Sequence, residues 1–183
     1  MKVLVGCEFS QIVTKAFRAK GHEAYSCDLL PTEGNPEWHF QEDVFAAIER
    51  QAWDLAIFHP PCTHLAVSGA RWWKGKQTEQ LIAMGFFMRL AATEIDRICI
   101  ENPVGIMSTV WRKPDQYIQP WQFGHGETKK TGLWLKGLPL LQPTNIVDGR
   151  EPRIHHMSPG PNRSKLRSVT YSGVAEAMAE QWS

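Results

Sequence analysis

The chain has little of what most directly betrays a function. Its four cysteines, Cys7, Cys27, Cys62 and Cys99, follow no regular spacing and form no Cys-x-x-Cys pair, which excludes a zinc ribbon and a thioredoxin-type motif. In a reducing compartment they are expected to be free thiols. His59, Cys62 and His64 lie close together in sequence, but no second ligand pair with metal-site spacing accompanies them, so no metal is expected. Charge of one sign is also lacking. The 20 Lys and Arg residues against 19 Asp and Glu give no polyanion signature overall and leave that role to local basic patches. No apolar run reaches the ~20 residues that cross a bilayer, so no membrane partner is expected. The opening MKVLVGCEFSQ has a short apolar run without a small-residue cleavage site and reads as a first core strand, which makes a cytoplasmic location the expectation. There is no internal repeat, no dividing linker and no GxGxxG.

What is present is alternation. At 183 residues the chain suits a single domain, 1–183, that buries roughly 70% of its unfolded surface. KVLVGC (2–7) is a β-branched run, and SQIVTKAFRAKG after it has helical spacing stopped by Gly21. HEAYSCDLL (22–30) reads as a second strand ending at Asp28, 31–39 as a loop, EDVFAAIERQ as a short helix and WDLAIF as a third strand. Residues 76–93 read as the best long amphipathic helix and RICIEN (97–102) as a buried strand. WRKPDQYIQPWQFG and TKKTGLWLKG each have a strand-like core, and TYSGVAEAMAEQW closes the chain as a helix. Residues 142–168 are rich in Pro, Gly, Asn and Arg and read as an irregular basic segment. The alternation predicts an α/β fold with a mostly parallel sheet and helices on both faces.

Open parallel sheets bind ligands at the carboxyl ends of their strands. Here those ends carry Gly6-Cys7-Glu8-Phe9, Asp28, His59-Pro60-Pro61-Cys62 and Glu101-Asn102-Pro103. A glycine at position 6 permits close backbone approach to a ligand. Asp28 stands where such folds hold a ribose hydroxyl, although a solvated turn aspartate would look the same. Two prolines stiffen the chain before Cys62 and aim its side chain. That suits a nucleophile, while an inert buried thiol is the common alternative. Glu101 ends an apolar run, and desolvation is expected to raise its pKa so that it donates a proton near neutrality. A thiol and a protonated carboxyl at neighbouring strand ends suit one reaction. The thiolate adds to C6 of a pyrimidine, the acid bonds N3, and C5 attacks an electrophilic methyl group.

These residues carry a resemblance. PPC at 60–62 resembles the catalytic Pro-Cys motif of the cytosine-5 DNA methyltransferases, and ENP at 101–103 resembles their Glu-Asn-Val motif. VGCEFSQ resembles their first glycine-containing motif, with Phe9 at the aromatic that lies against S-adenosylmethionine, and EDVF places Asp43 at the adenine contact. QFGHGETKKTGLWLKG resembles the motif with paired arginines before a strand, and RSVTYSGVAEAMAEQW the closing motif. The motif order is the family's, and the layout also resembles compact methylase-like proteins of bacteriophages, whose location would be the infected host's cytoplasm.

The resemblance implies a Rossmann-like class I methyltransferase fold, S-adenosylmethionine as cofactor and cytosine in DNA as substrate. Cys62 would be the nucleophile and Glu101 the acid, with Gly6, Phe9, Asp28, Asp43 and Pro60 at the cofactor. Asn102, Pro103, Arg71, Trp72, Trp73, Lys74 and Lys130 would meet the substrate. SGARWWKGKQ (68–77) resembles the loop that closes over a flipped base, although two core tryptophans beside a solvated charge run would read alike. A second basic stretch, RIHHMSPGPNRSKLR (153–167), suits backbone contact with DNA.

There are departures. Lys129 and Lys130 stand where the family has arginines, and lysine lacks the planar fork. There is no room for the usual target-recognition domain, a surface that a homodimer could supply in trans. A free pyrimidine nucleotide as substrate, or a binding module without catalysis, are the alternatives. An exocyclic-amino methyltransferase fits less well, since it explains neither Cys62 nor Glu101.

Overall fold

Apolar runs too short for a buried helix, each bounded by turn residues, become the strands of one seven-stranded sheet in the order β3-β2-β1-β4-β5-β7-β6. The computed structural model describes residues 1–68, 74–158, 160 and 163–183. The strands are β1 (Lys2–Gly6), β2 (Glu23–Cys27), β3 (His39–Phe40), β4 (Leu55–Phe58), β5 (Ile98–Pro103), β6 (Gln116–Ile118) and β7 (Thr131–Lys136). Neighbours from β3 through β5 pair in parallel, whereas β7 runs antiparallel to both β5 and β6. This is the α/β architecture with a mostly parallel sheet.

Strand alternation divides the core into two layers. Val3, Val5, Leu55, Ile57 and Cys99 pack on one face beneath α1 (Ile12–Ala19) and the closing α7 (Ser172–Gln181). Leu4, Ala56, Phe58, Ile98 and Ile100 pack on the other, beneath α2 (Val44–Glu49) and α3 (Gln77–Ala91). All four residues of β4 are buried, as expected of a strand covered on both faces. Each large apolar side chain there contributes about 1.5–3 kcal/mol.

Four sequence expectations change. The second strand, Glu23–Cys27, is shorter than 22–30: the Asp28 N–H still donates to the Phe40 carbonyl, and its side chain then accepts from the Leu30 N–H and turns the chain away. The loop 31–39 ends in β3, whose two residues are too few to show a period. Helix α3 forms within 76–93, but it leaves Leu81, Ile82 and Met88 exposed and buries Phe87 and Leu90. The sharper division belongs to α1, which turns Val13, Thr14 and Phe17 inward. After α4 (Met107–Val110), the segment 142–168 is not wholly irregular, for it contains α5 (Arg153–His156) and α6 (Arg163–Ser168). Among the described residues no helix is long and apolar enough to cross a membrane.

Candidate active site

Strand order reverses direction at β1 and β4, and ligands of open α/β sheets bind in the crevice outside the strand ends at such a point. The β1 end supplies Cys7, Phe9 and Ser10. The β4 end supplies the 59–62 segment, tied to β1 by the His59 N–H, which donates to the Gly6 carbonyl at 2.9 Å.

Cys62 is held by its loop. The backbone N–H groups of Leu65 and Ala66 donate to the Cys62 carbonyl at 3.0 and 2.9 Å, closing a turn around it. Buried Asn102 donates from Nδ2 to the Pro60 carbonyl at 2.8 Å. That bond uses one of the amide's two hydrogens to hold the loop. Asn102 therefore helps to position Cys62, and Pro60 takes part through its carbonyl. Beyond Pro103, which pairs with Thr131, the chain returns along the loop. Val67 N–H donates to the Val104 carbonyl and Ile106 N–H to the Leu65 carbonyl. A Cβ on Gly105 would run into the Leu65 carbonyl oxygen, so the close approach that clamps the loop requires glycine there.

The register of β4 against β5 decides the protonation of the site. Ala56, Ile57 and Phe58 stand beside Ile98, Cys99 and Ile100, so the next residue, His59, falls beside Glu101. His59 Nδ1 lies 3.0 Å from Glu101 Oε2, with both side chains nearly buried. Thr170 Oγ1 donates to the same carboxylate oxygen at 3.3 Å. Burial alone would push the Glu101 carboxyl up, but the charge and bond of His59, with Lys129 and Thr170, hold it down at about 2. Burial likewise opposes the His59 imidazolium, yet Glu101 and more weakly Glu8 outweigh both burial and Lys129, and its pKa is raised. The expectation of a protonated Glu101 is corrected: the carboxylate is ionised and the proton resides on His59. Desolvation acts as expected, but it is overridden by a partner that sequence distance conceals.

Lys129, not Lys130, serves this site. Antiparallel pairing sets Glu101 opposite Leu133 and Pro103 opposite Thr131, so odd-numbered positions share the face of Glu101. Lys130 falls on the other face, where its Nζ lies 4.4 Å from the Tyr117 ring centroid. The Lys129 ammonium acts on Glu101, His59 and Cys62 and donates to the Val169 carbonyl at 3.2 Å. Burial pushes the Cys62 thiol up, and Lys129 and Arg167 pull it only part of the way back. Lys129→Gln is therefore expected to slow alkylation of Cys62 by iodoacetamide roughly three- to tenfold at pH 8. Lys130→Gln should leave that rate unchanged, a contrast that mass spectrometry of the alkylated peptide measures.

The residues assigned to a cofactor divide. Phe9 is 8% exposed and lines a cavity with Cys7, Ser10, His59, Ser168 and Thr170. Asp28 accepts from the Leu30 N–H at 2.9 Å, which leaves its second oxygen open. Burial raises the pKa of the Cys7 thiol, and the nearby carboxylates of Asp28 and Asp43 raise it further, so these strand-end groups gather in one place. Asp43 also caps α2 by accepting from the Phe45 N–H at 2.8 Å. A Cβ on Gly6 would stand 2.6 Å from the Phe58 ring and 2.7 Å from Val44, so packing inside the sheet by itself requires glycine there.

Glu8 was not legible as a site residue. Its carboxylate accepts from the backbone N–H groups of Val13 and Thr14 at 2.7 and 3.2 Å and from Thr14 Oγ1 at 2.7 Å. It fills the helix N-terminus that dinucleotide-binding folds offer to a pyrophosphate. A ligand of this crevice therefore carries no phosphate at that place.

No protein-family model matches the chain, and none of the curated proteins matches it. Beside the first cavity lies a second, lined by Glu101, Pro120, Lys129, Thr131, Thr170 and Tyr171, and Thr170 borders both. The first encloses only about 40 Å³ of free space, far below the roughly 300–1,000 Å³ of ordinary ligand pockets. A nucleoside-sized ligand thus needs residues 168–170 to draw back. Lys165, which lies 5.2 Å from the Phe9 ring centroid and pairs with Glu33 at 2.5 Å, anchors that segment over the crevice.

Of the remaining substrate candidates, Arg71, Trp72 and Trp73 lie outside the described residues, and Lys74 is exposed at the turn before α3. His59, Lys129 and Thr170 complete the site. The HPPC string, the Lys129-Lys130 pair and the RSVTYSG stretch hinted at them in the sequence, without saying that they meet.

Proposed function

We propose that this protein is an S-adenosylmethionine-dependent methyltransferase acting on C5 of cytosine in DNA, through a covalent adduct of Cys62 at C6. The observation that carries this reading is the thiol clamped at the β4 end beside the ion-paired Glu101 of β5, with a separate cavity at the β1 turn. Supporting it, the first five strands follow the 3-2-1-4-5 order of doubly wound nucleotide-binding folds. On this reading the fold is the class I methyltransferase version of that design. The residues suit the cofactor: Glu8 turns phosphates away, Phe9 offers an apolar wall, and Asp28 presents a free carboxylate oxygen for ribose hydroxyls. When bound, S-adenosylmethionine supplies the electrophilic methyl group.

The chain's own residues do the rest. The Cys62 thiolate forms the Sγ–C6 bond, and the displaced C5–C6 electron pair is accommodated as N3 takes a proton. That proton starts on His59 Nδ1, 3.0 Å from Glu101 Oε2, and passes through the carboxyl that faces the second cavity. C5 then gains the methyl group. Loss of the C5 proton re-forms the double bond, expels the thiolate and returns the N3 proton to the pair. On this reading Lys129 and Arg167, whose charges reach Cys62, would meet the substrate's phosphates.

The test is transfer of label from S-adenosylmethionine to a panel of single-stranded DNA, duplex DNA and deoxycytidine monophosphate. Label at C5 of DNA cytosine is expected. Label in the free nucleotide alone would make that the substrate, as the small second cavity and the missing recognition domain would then suit. With no label and no exchange of the C5 hydrogen, the enzymatic reading fails.

A further inference from the structure

Among the buried side-chain nitrogens and oxygens of the described residues, one in the cavity at the β1 turn has no hydrogen-bond partner. The Glu8 carboxylate is used by the start of α1, and Ser10 Oγ donates to Glu8 Oε1 at 3.5 Å. His59 Nδ1 is engaged by Glu101. His59 Nε2, on a side chain 11% exposed, is buried and is the side-chain polar atom left without a partner among the described residues. A buried donor without an acceptor costs about 1–3 kcal/mol, and native structures satisfy such a group with an ordered water, an ion or a ligand.

The chemistry of the missing acceptor follows from the surroundings. The charged groups facing His59 are Glu101 from β5, Glu8 from the β1–α1 turn and Lys129 before β7. The two carboxylates keep the imidazole charged, so Nε2 carries hydrogen and its complement is an anion. A phosphate is disfavoured here, because the Glu8 carboxylate already takes the Val13 and Thr14 N–H groups at the start of α1 and its charge repels a second anion there. A carboxylate needs only the one charge-assisted bond. At the other side of the β1 turn, Asp28 and Asp43 repel a second anion and favour hydroxyl or amino groups.

We propose that His59 Nε2–H is the donor that receives a carboxylate of the small ligand in this cavity. Resting on the function proposed above, that group is the α-carboxylate of an adenosyl amino acid. His59 then bridges the two halves of the site. Its Nε2 holds the ligand's carboxylate while its Nδ1 holds Glu101, so an anion bound in the first cavity keeps the proton on the pair that serves the second.

Calorimetric titration with S-adenosylmethionine and with its decarboxylated form, which differs by the carboxylate, tests this on the full chain. The wild type is expected to bind S-adenosylmethionine at least about tenfold more tightly. His59→Gln should weaken S-adenosylmethionine at least about tenfold and change the decarboxylated ligand less than twofold. The wild-type affinity for S-adenosylmethionine alone should fall as pH rises through the titration of His59, followed by NMR of its ring carbons, a readout that does not depend on the variant folding. Equal losses for both ligands, or an affinity for S-adenosylmethionine indifferent to His59 and to its titration, overturn the inference alone. If neither ligand binds the wild type, the cofactor reading falls and the inference with it.

Discussion

Cys62→Ser is expected to lower methyl transfer more than about a thousandfold while the protein keeps its fold. A serine hydroxyl occupies nearly the same volume as the thiol, and the loop that holds it is tied by backbone carbonyls and by Asn102, not by the sulfur. What is lost is nucleophilicity. A thiol reaches its anion within a few pH units of neutrality and an alkoxide does not. Because burial keeps the Cys62 thiol raised despite Lys129 and Arg167, wild-type transfer should also climb with pH as the thiolate fraction grows. A substrate carrying 5-fluorocytosine has no C5 proton to lose and should trap the wild type as a covalent adduct. Intact-mass measurement would show it, and Cys62→Ser would show none. Transfer that survives the substitution, or a wild type that traps nothing, would remove the covalent mechanism.

Glu101→Gln strikes both stability and turnover. The folded carboxyl titrates at about 2 against an ordinary value of 4.5. The stability it contributes is thus present above about pH 4.5 and is lost as pH falls toward 2. A displacement of that size corresponds to about 3 kcal/mol. His59 has the opposite sign. Its pKa is raised above 6.5, so its contribution is complete below pH 6.5 and is lost as pH rises through the folded value. The pair therefore stabilises most between about pH 4.5 and 6.5. In Glu101→Gln the imidazole can shed its proton instead of staying charged and unpaired, so the loss near pH 5.5 is expected to be about 1–3 kcal/mol. The acid-side rise in stability due to this group should vanish from urea unfolding curves measured across pH. Transfer should fall about 10²–10⁴-fold, since the group that delivers the N3 proton is gone. A variant whose pH–stability curve parallels the wild type would show that Glu101 and His59 are not paired.

Much of the frame was legible along the chain. The apolar runs that became β1, β4 and β5 were unambiguous because a strand covered on both faces must be apolar throughout. Their polar termini could be recognised as the ligand-facing edge, since strand ends are where buried backbone gives way to loops. The turn prolines before Cys62 likewise act locally, through φ restriction, and needed no partner to be read. The two residues of β3 and the inward face of α3 were not legible. A two-residue strand exists only by pairing, and which apolar side chains of a helix are covered depends on what packs against it.

The candidate site divides along the same line. By itself the sequence determined that a thiol and a carboxylate stand at the ends of neighbouring buried strands, because burial and chain stiffness are local properties. Only the tertiary structure decided what those groups are. The register of β4 beside β5 brings His59 to Glu101 and moves the proton. Antiparallel alternation selects Lys129 over Lys130. Side-chain packing demands glycine at position 6, and a hydrogen bond ties Asn102 to the loop of Cys62. Each of these is an interaction between residues far apart in sequence, and its energy depends on distances of about 3 Å that only folding sets.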